Sequence, residues 1–209
     1  MVSSELSFAN NLQQTTISTQ AHKAMMDRKQ ALGLLAHYVK NENLQRHCLA
    51  TEAIMRKLAE RLGADEKLWG ITGLLHDLDL EITRGDQTRH ALLSAEMLAQ
   101  EGFPPQALQA IKAHNGEVLG IKRESPFDHA LASAETVTGL IVATALVQPD
   151  KKIASVKPKS VTKRMKEKRF AENVNRETIL ECEFLGLSLE DFVTLSIEAM
   201  KGISDDLGL

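Results

Sequence analysis

Six side chains in this sequence have the types and the order that metal chemistry needs: His47, the adjacent pair His76 and Asp77, His90, His114 and Glu135. Imidazole nitrogen and carboxylate oxygen together suit a divalent transition ion (Mn, Fe, Co, Ni or Zn) without choosing among them. One or two ions so held can acidify a bound water and polarise a phosphoryl oxygen. His47 lies beside an apolar stripe, in register with Thr51, Ile54 and Leu58, so its ring turns inward or to a cleft edge. A satisfied core histidine has the same signature. The pair closes an almost wholly apolar run from Leu68 to Leu75, where both groups need compensation for lost water, by an ion or by a dense hydrogen-bond network. Adjacent residues leave a helix on different faces, so both reach one ion only where the helix ends or bends. The plainer reading is a helix-terminal histidine followed by a turn aspartate. Glu135 is the one charged side chain between Ala130 and Val147, and either a ligand role or an ion pair with a core cation would answer the cost of its burial.

These residues must be carried by helices. Apolar positions recur at steps of three and four, and no alternating run is long enough for a strand. The pattern predicts helices over 27–39, 43–62, from Asp65 to the His76-Asp77 pair, 88–101, 105–114, from Ser125-Pro126 to about Val147, 175–184 and 188–201, with a short helix in the basic segment. Gly63 is a natural stop, and Ser125 a natural cap before a first-turn proline. Each candidate ligand except the adjacent pair falls on or at the end of a different helix. An all-α bundle gathers ligands at its centre in this way. Residues 1–24, rich in Ser, Thr, Gln and Asn, read as a disordered tail, and 25–205 as a single domain.

The composition, 43% hydrophobic and 25% charged, is that of a globular protein. Cys48 and Cys182 form neither a CxxC nor a disulfide framework, and no secretory leader is legible, so the expectation is cytoplasmic. The stretch around Glu135 approaches membrane-span length, yet its small polar residues suit a packed core helix, and no membrane partner is expected. The net charge of −3 conceals an asymmetry: nine basic residues between Lys151 and Arg169 face Glu167 alone, a local +8 that leaves −11 elsewhere. Such a run is a solvated face or a collector of anions. Without aromatics to stack on bases, it predicts a small anionic phosphorylated substrate rather than nucleic acid. A homo-oligomer is compatible with all of this.

The ordered motifs, HCLATEAIMRKLAERLG, LLHDLD, RHALLSAEML, AIKAHN and ASAETVTGLI, resemble the HD superfamily of metal-dependent phosphohydrolases, in particular its small HDIG-type members, over roughly Met26 to Met200. The resemblance implies a primary site of His47, His76, Asp77 and Glu135, and a second of Asp77, His90 and His114. It implies hydrolysis of a small phosphate ester or nucleotide. In this reading Asp77 belongs to the catalytic centre, Asp79 or Glu81 protonates the leaving oxygen, and Arg84, Arg89 and Lys112 hold the substrate, with Lys122 and Arg123 nearby. The chain departs from the family pattern at Glu135, usually aspartate, at Asp79 and Leu80, often glycine and lysine, and at Asn115, sometimes histidine. A two-iron oxygenase similar to inositol oxygenase shares the ligand order, and a non-catalytic signalling domain is the other alternative.

Overall fold

A computed structural model describes residues 25–209; the tail expected over 1–24 lies outside the described residues. Among these, no strand occurs and the helices are α1 (Arg28–Tyr38), α2 (Glu42–Leu62), α3 (Glu66–Leu75), α4 (Leu92–Gln100), α5 (Pro105–His114), α6 (Gly116–Leu119), α7 (Pro126–Leu146), α8 (Pro158–Arg164), α9 (Arg176–Leu180), α10 (Leu189–Lys201) and α11 (Ser204–Leu207). The expected all-α bundle is the architecture found.

Local chemistry sets the boundaries. Asn41 caps α2 through bonds from the Asn43 and Leu44 N–H groups, and Gly63 ends it in the left-handed region at φ 66°. Asp65 accepts from Leu68 N at 2.9 Å to open α3, and Ser125 opens α7 with a capping box to Asp128. The helix expected from residue 88 begins only at Leu92. Asp86 draws Thr88 into a side-chain-stabilised turn, and Ala91 stands at φ 71°, so the chain from His76 to Ala91 descends as consecutive turns. The helix expected over 175–184 divides into α9 and a 3-10 segment, Glu181–Leu185, and the four-residue α6 and α11 add to the expected set.

Two 21-residue helices, α2 and α7, frame the core. α7 is apolar and long enough to cross a membrane by length and composition, yet 61% of it is buried, with Leu131, Val137, Leu140 and Ile141 fully enclosed. α3 lies so close to α2 that a Cβ on Gly70 would meet the Arg56 side chain at 2.6 Å, and one on Gly73 would meet Met55 Cγ at 2.9 Å. Glu52, 2% exposed, is held by Arg28 and Arg56 at 2.8 and 2.9 Å, tying α1 to α2. Trp69 and Phe127 stack 4.8 Å apart in the core.

Candidate metal centre

Packing α3 on α2 brings His76, the cap residue at the end of α3, against His47 of α2. Asp77 follows where the helix has ended, which lets neighbouring side chains turn to one point. The turns beyond deliver His90, and α5 delivers His114 as its last residue.

Each imidazole is fixed through Nδ1. His47 Nδ1 is 2.9 Å from Thr138 Oγ1, whose own proton goes to Glu135 O at 2.6 Å. His76 Nδ1 donates to Gly73 O at 2.8 Å, His114 Nδ1 to Ile111 O at 2.5 Å, and His90 Nδ1 to the Asp79 carboxylate at 2.7 Å. All four partners accept, so each neutral ring keeps its lone pair on Nε2. Those lone pairs converge, His47 on His76 at 3.2 Å and His90 on His114 at 3.1 Å. Facing lone pairs repel unless a cation or a proton lies between them.

Asp77 completes the centre. Its Oδ1 lies 3.3, 3.4 and 3.5 Å from the Nε2 atoms of His76, His90 and His114, its Oδ2 is 3.6 Å from that of His47, and Oδ1 is buried with no hydrogen-bond partner. Two groups, His47-His76-Asp77 and Asp77-His90-His114, each hold their ligand atoms within 4.8 Å of one another. An orphaned carboxylate oxygen among the Nε2 atoms of four imidazoles fits divalent cations, with Asp77 common to both groups. The field agrees. Burial alone would raise Asp77, but His76, His114 and His47 hold it well below the usual carboxylate range. Burial, aided by the neighbouring rings, pushes His76 down to about 3, so it stays neutral. Burial opposes a charge on His114 too, yet Asp77 holds that ring above its ordinary value.

The segment that carries this geometry also matches a family in sequence. Residues 44–145, which carry His47, His76, Asp77, His90, His114 and Glu135, match the HD domain. This segment is an HD domain. Among similar curated proteins, Ribonuclease Y of Sulfurovum sp. is 28% identical over 167 residues, covering 78% of this chain and 32% of its own. Ribonuclease Y of Desulforudis audaxviator is 26% identical over 114 residues (54% and 22%), and that of Chlorobium luteolum 32% over 102 residues (49% and 19%). The chain thus spans a third or less of these relatives' length. No solved structure matches significantly.

These relatives overturn one expectation, that of a small anionic substrate with nucleic acid disfavoured. The exclusion rested on the lack of stacking rings between residues 151 and 169 and on the acidity of the rest of the chain. Contacts to a nucleic-acid backbone need cations, not rings.

Other expected site residues of the HD domain take different places. Asp79 is fully buried and accepts from His90 Nδ1 and from Ser94 N at 2.9 Å, so it orients a ligand and is closed to a leaving group. Glu81 accepts the Lys40 and Asn41 backbone N–H groups at 3.0 and 2.7 Å, bracing the start of α2. Glu135 stands outside both tight groups but lines, with His47 and His114, a cleft of about 290 Å³ completed by Glu117, Asn173 and Asn175. Burial pushes its carboxyl up, while His114 and His47 pull the other way, and no lysine or arginine pairs with it among the described residues. Arg84 and Arg89 are exposed, Lys112 is half-buried, and none of the three lines this cleft. Arg123 is taken up by Glu117, Glu181 and the carbonyls of Ala113 and His114. Sequence reasoning missed Thr138, whose one signal was its position three residues after Glu135 on the same helix face, and the 173–175 wall, which carries no motif.

Proposed function

We propose that this HD domain hydrolyses phosphodiester bonds of RNA, using one or two divalent transition ions held by His47, His76, Asp77, His90 and His114. The observation that carries the reading is the convergence of three Nε2 atoms on the Asp77 oxygen that has no hydrogen-bond partner, with the fourth facing the other oxygen of the same carboxylate. Bound there, the ions would supply an acidified water and a Lewis acid for the phosphoryl oxygen. The protein's own residues orient and seal. Thr138, Gly73, Asp79 and Ile111 fix the four rings, and the buried Asp77 stays ionised between them. We assign to Glu135, which lines the cleft, is pushed up by burial and accepts from the Thr136 hydroxyl, the proton given to the leaving oxygen, since Asp79 is sealed and Glu81 is committed to the start of α2.

RNA as substrate is supported by the relatives' name and by the basic segment, in which Lys151, Lys152, Lys157, Lys159, Lys163, Lys166, Lys168 and Arg169 are all exposed. The test is elemental analysis of the purified protein, then cleavage of a labelled RNA oligonucleotide with the metal restored. His76→Ala and Asp77→Ala are expected to lose both metal and cleavage while keeping a helical spectrum. Full metal content and cleavage in either variant would overturn the assignment, and iron-dependent oxygen uptake without cleavage would assign the centre to oxygenase chemistry.

A further inference from the structure

A second cavity adjoins the centre, with His47 as the one candidate ligand in its wall. It occupies about 440 Å³ in the groove between α2 and α7 and shares His47, Thr138 and Gly139 with the cleft that holds Glu135. Asn43, Arg46, His47 and Ala50 occur at the spacing of one helix face on α2, and Thr138, Gly139, Val142 and Leu146 at that of the facing side of α7. Small residues keep the groove open. Ala50 offers only a methyl, and Gly139, in the interior of a 21-residue helix where glycine costs about 1 kcal/mol relative to alanine, offers none. A Cβ there would press on Val174 at 3.1 Å, across the junction of the two cavities.

The lining combines apolar and polar groups. Ala50, Val142, Leu207 and the half-exposed Leu146 supply apolar surface, and Arg46 and Asn43 add exposed polar side chains. Among the described residues, the one side-chain ion pair of Arg46 is a long 3.5 Å contact with the exposed Glu42, its guanidinium lies beside Gly208, and the Asn43 amide makes no side-chain hydrogen bond. Both expose polar groups to the groove. A flat, largely apolar ring carrying hydrogen-bonding edges, joined through a sugar to a phosphate, matches that combination, and the volume lies within the range of small-ligand sites.

Resting on the RNA-hydrolase reading, we propose that the groove between α2 and α7 is a nucleoside subsite, which seats the base and ribose next to the phosphate held at the metal centre. Arg46 takes the following phosphate, and Asn43 reaches the base edge. Gly139 is the open threshold between this subsite and the reacting centre.

Adenosine 5′-phosphorothioate and inorganic thiophosphate, which resist hydrolysis, separate the subsite from the centre when titrated calorimetrically into the metal-loaded protein. The wild-type protein is expected to prefer the nucleotide at least tenfold. Val142→Phe, which fills the groove, should bring that ratio close to one, and Arg46→Ala, on an exposed side chain that the fold tolerates, should weaken binding of a dinucleotide severalfold. A wild-type ratio near one overturns the proposal, as does an unchanged ratio in a folded Val142→Phe protein. If Val142→Phe does not fold, unchanged dinucleotide binding by Arg46→Ala overturns it. Preference for the nucleotide in a protein that cleaves no phosphate ester would sink the hydrolase reading and leave the subsite standing. Cleavage of RNA with a ratio near one would do the reverse.

Discussion

Asp79 shows how a single side chain can be misjudged from its neighbours. Its place just past Asp77 suggested an acid able to protonate the leaving oxygen, but it is sealed between His90 and Ser94. Asp79→Asn keeps the size and sets an amide N–H₂ against one of two N–H donors. The expected result is a loss of about 10–100-fold in metal affinity confined to the His90-His114 group, measured by competition with a chelating dye. Cleavage should recover at saturating metal, whereas loss of a proton donor would persist there. The two perturbed rings set a pH dependence in the metal-free protein. His76 is driven down to about 3 from 6.5, so it stabilises the fold fully above about pH 6.5 and loses that contribution as pH falls towards 3. His114 is raised, so its contribution is complete below 6.5 and is lost as pH rises through its elevated value. Thermal unfolding should therefore peak near pH 6.5, with the alkaline fall abolished by bound metal, and a flat profile would contradict the assigned protonation. The ligand types and their order were legible in the sequence. The Nδ1 partners were not, because three of the four are a hydroxyl or backbone carbonyls, which leave no residue-type signature.

The contact of α2 with α3 sets how near His47 and His76 can come, and it depends on glycine. Gly73→Ala places a Cβ 2.9 Å from Met55 Cγ and 3.1 Å from the Thr51 carbonyl oxygen, with a cost of about 1–3 kcal/mol expected in chemical denaturation. Gly33→Ala meets nothing within 4 Å in the interior of α1 and should stabilise by about 0.5–1 kcal/mol. Equal effects at the two sites would mean that helix propensity alone governs both. The periodicity of α2 and the caps of α3 and α7 were readable because they follow from local rules. The delayed start of α4 was not, since the apolar pattern carries on through residues that Asp86 and Ala91 turn out of a helix.

Across the molecule, the charge is divided as the sequence says, and the proposal of RNA as its partner comes from the relatives. If the exposed lysines of the basic segment meet RNA phosphates, replacing Lys157, Lys159, Lys163 and Lys166 by glutamine should weaken RNA binding at low salt. The slope of log affinity against log salt should then fall by up to about 3, at roughly 0.7 for each single-strand phosphate that is no longer neutralised. kcat should change little, because none of the four lines the cleft at the centre. An unaltered slope would reduce the segment to a solvated face. The span of the centre along the chain has a further consequence, for a chain made from its N-terminus. His47 and His76 are joined early, yet His114 arrives 38 residues after His76, and Thr138, which orients His47, lies 91 residues beyond it. A fragment that ends with α5 already carries all five candidate ligands, but it lacks both the Thr138 hydroxyl that orients His47 and the long α7 that closes the core, so a finished site for metal waits until the bundle that must hold it is nearly whole.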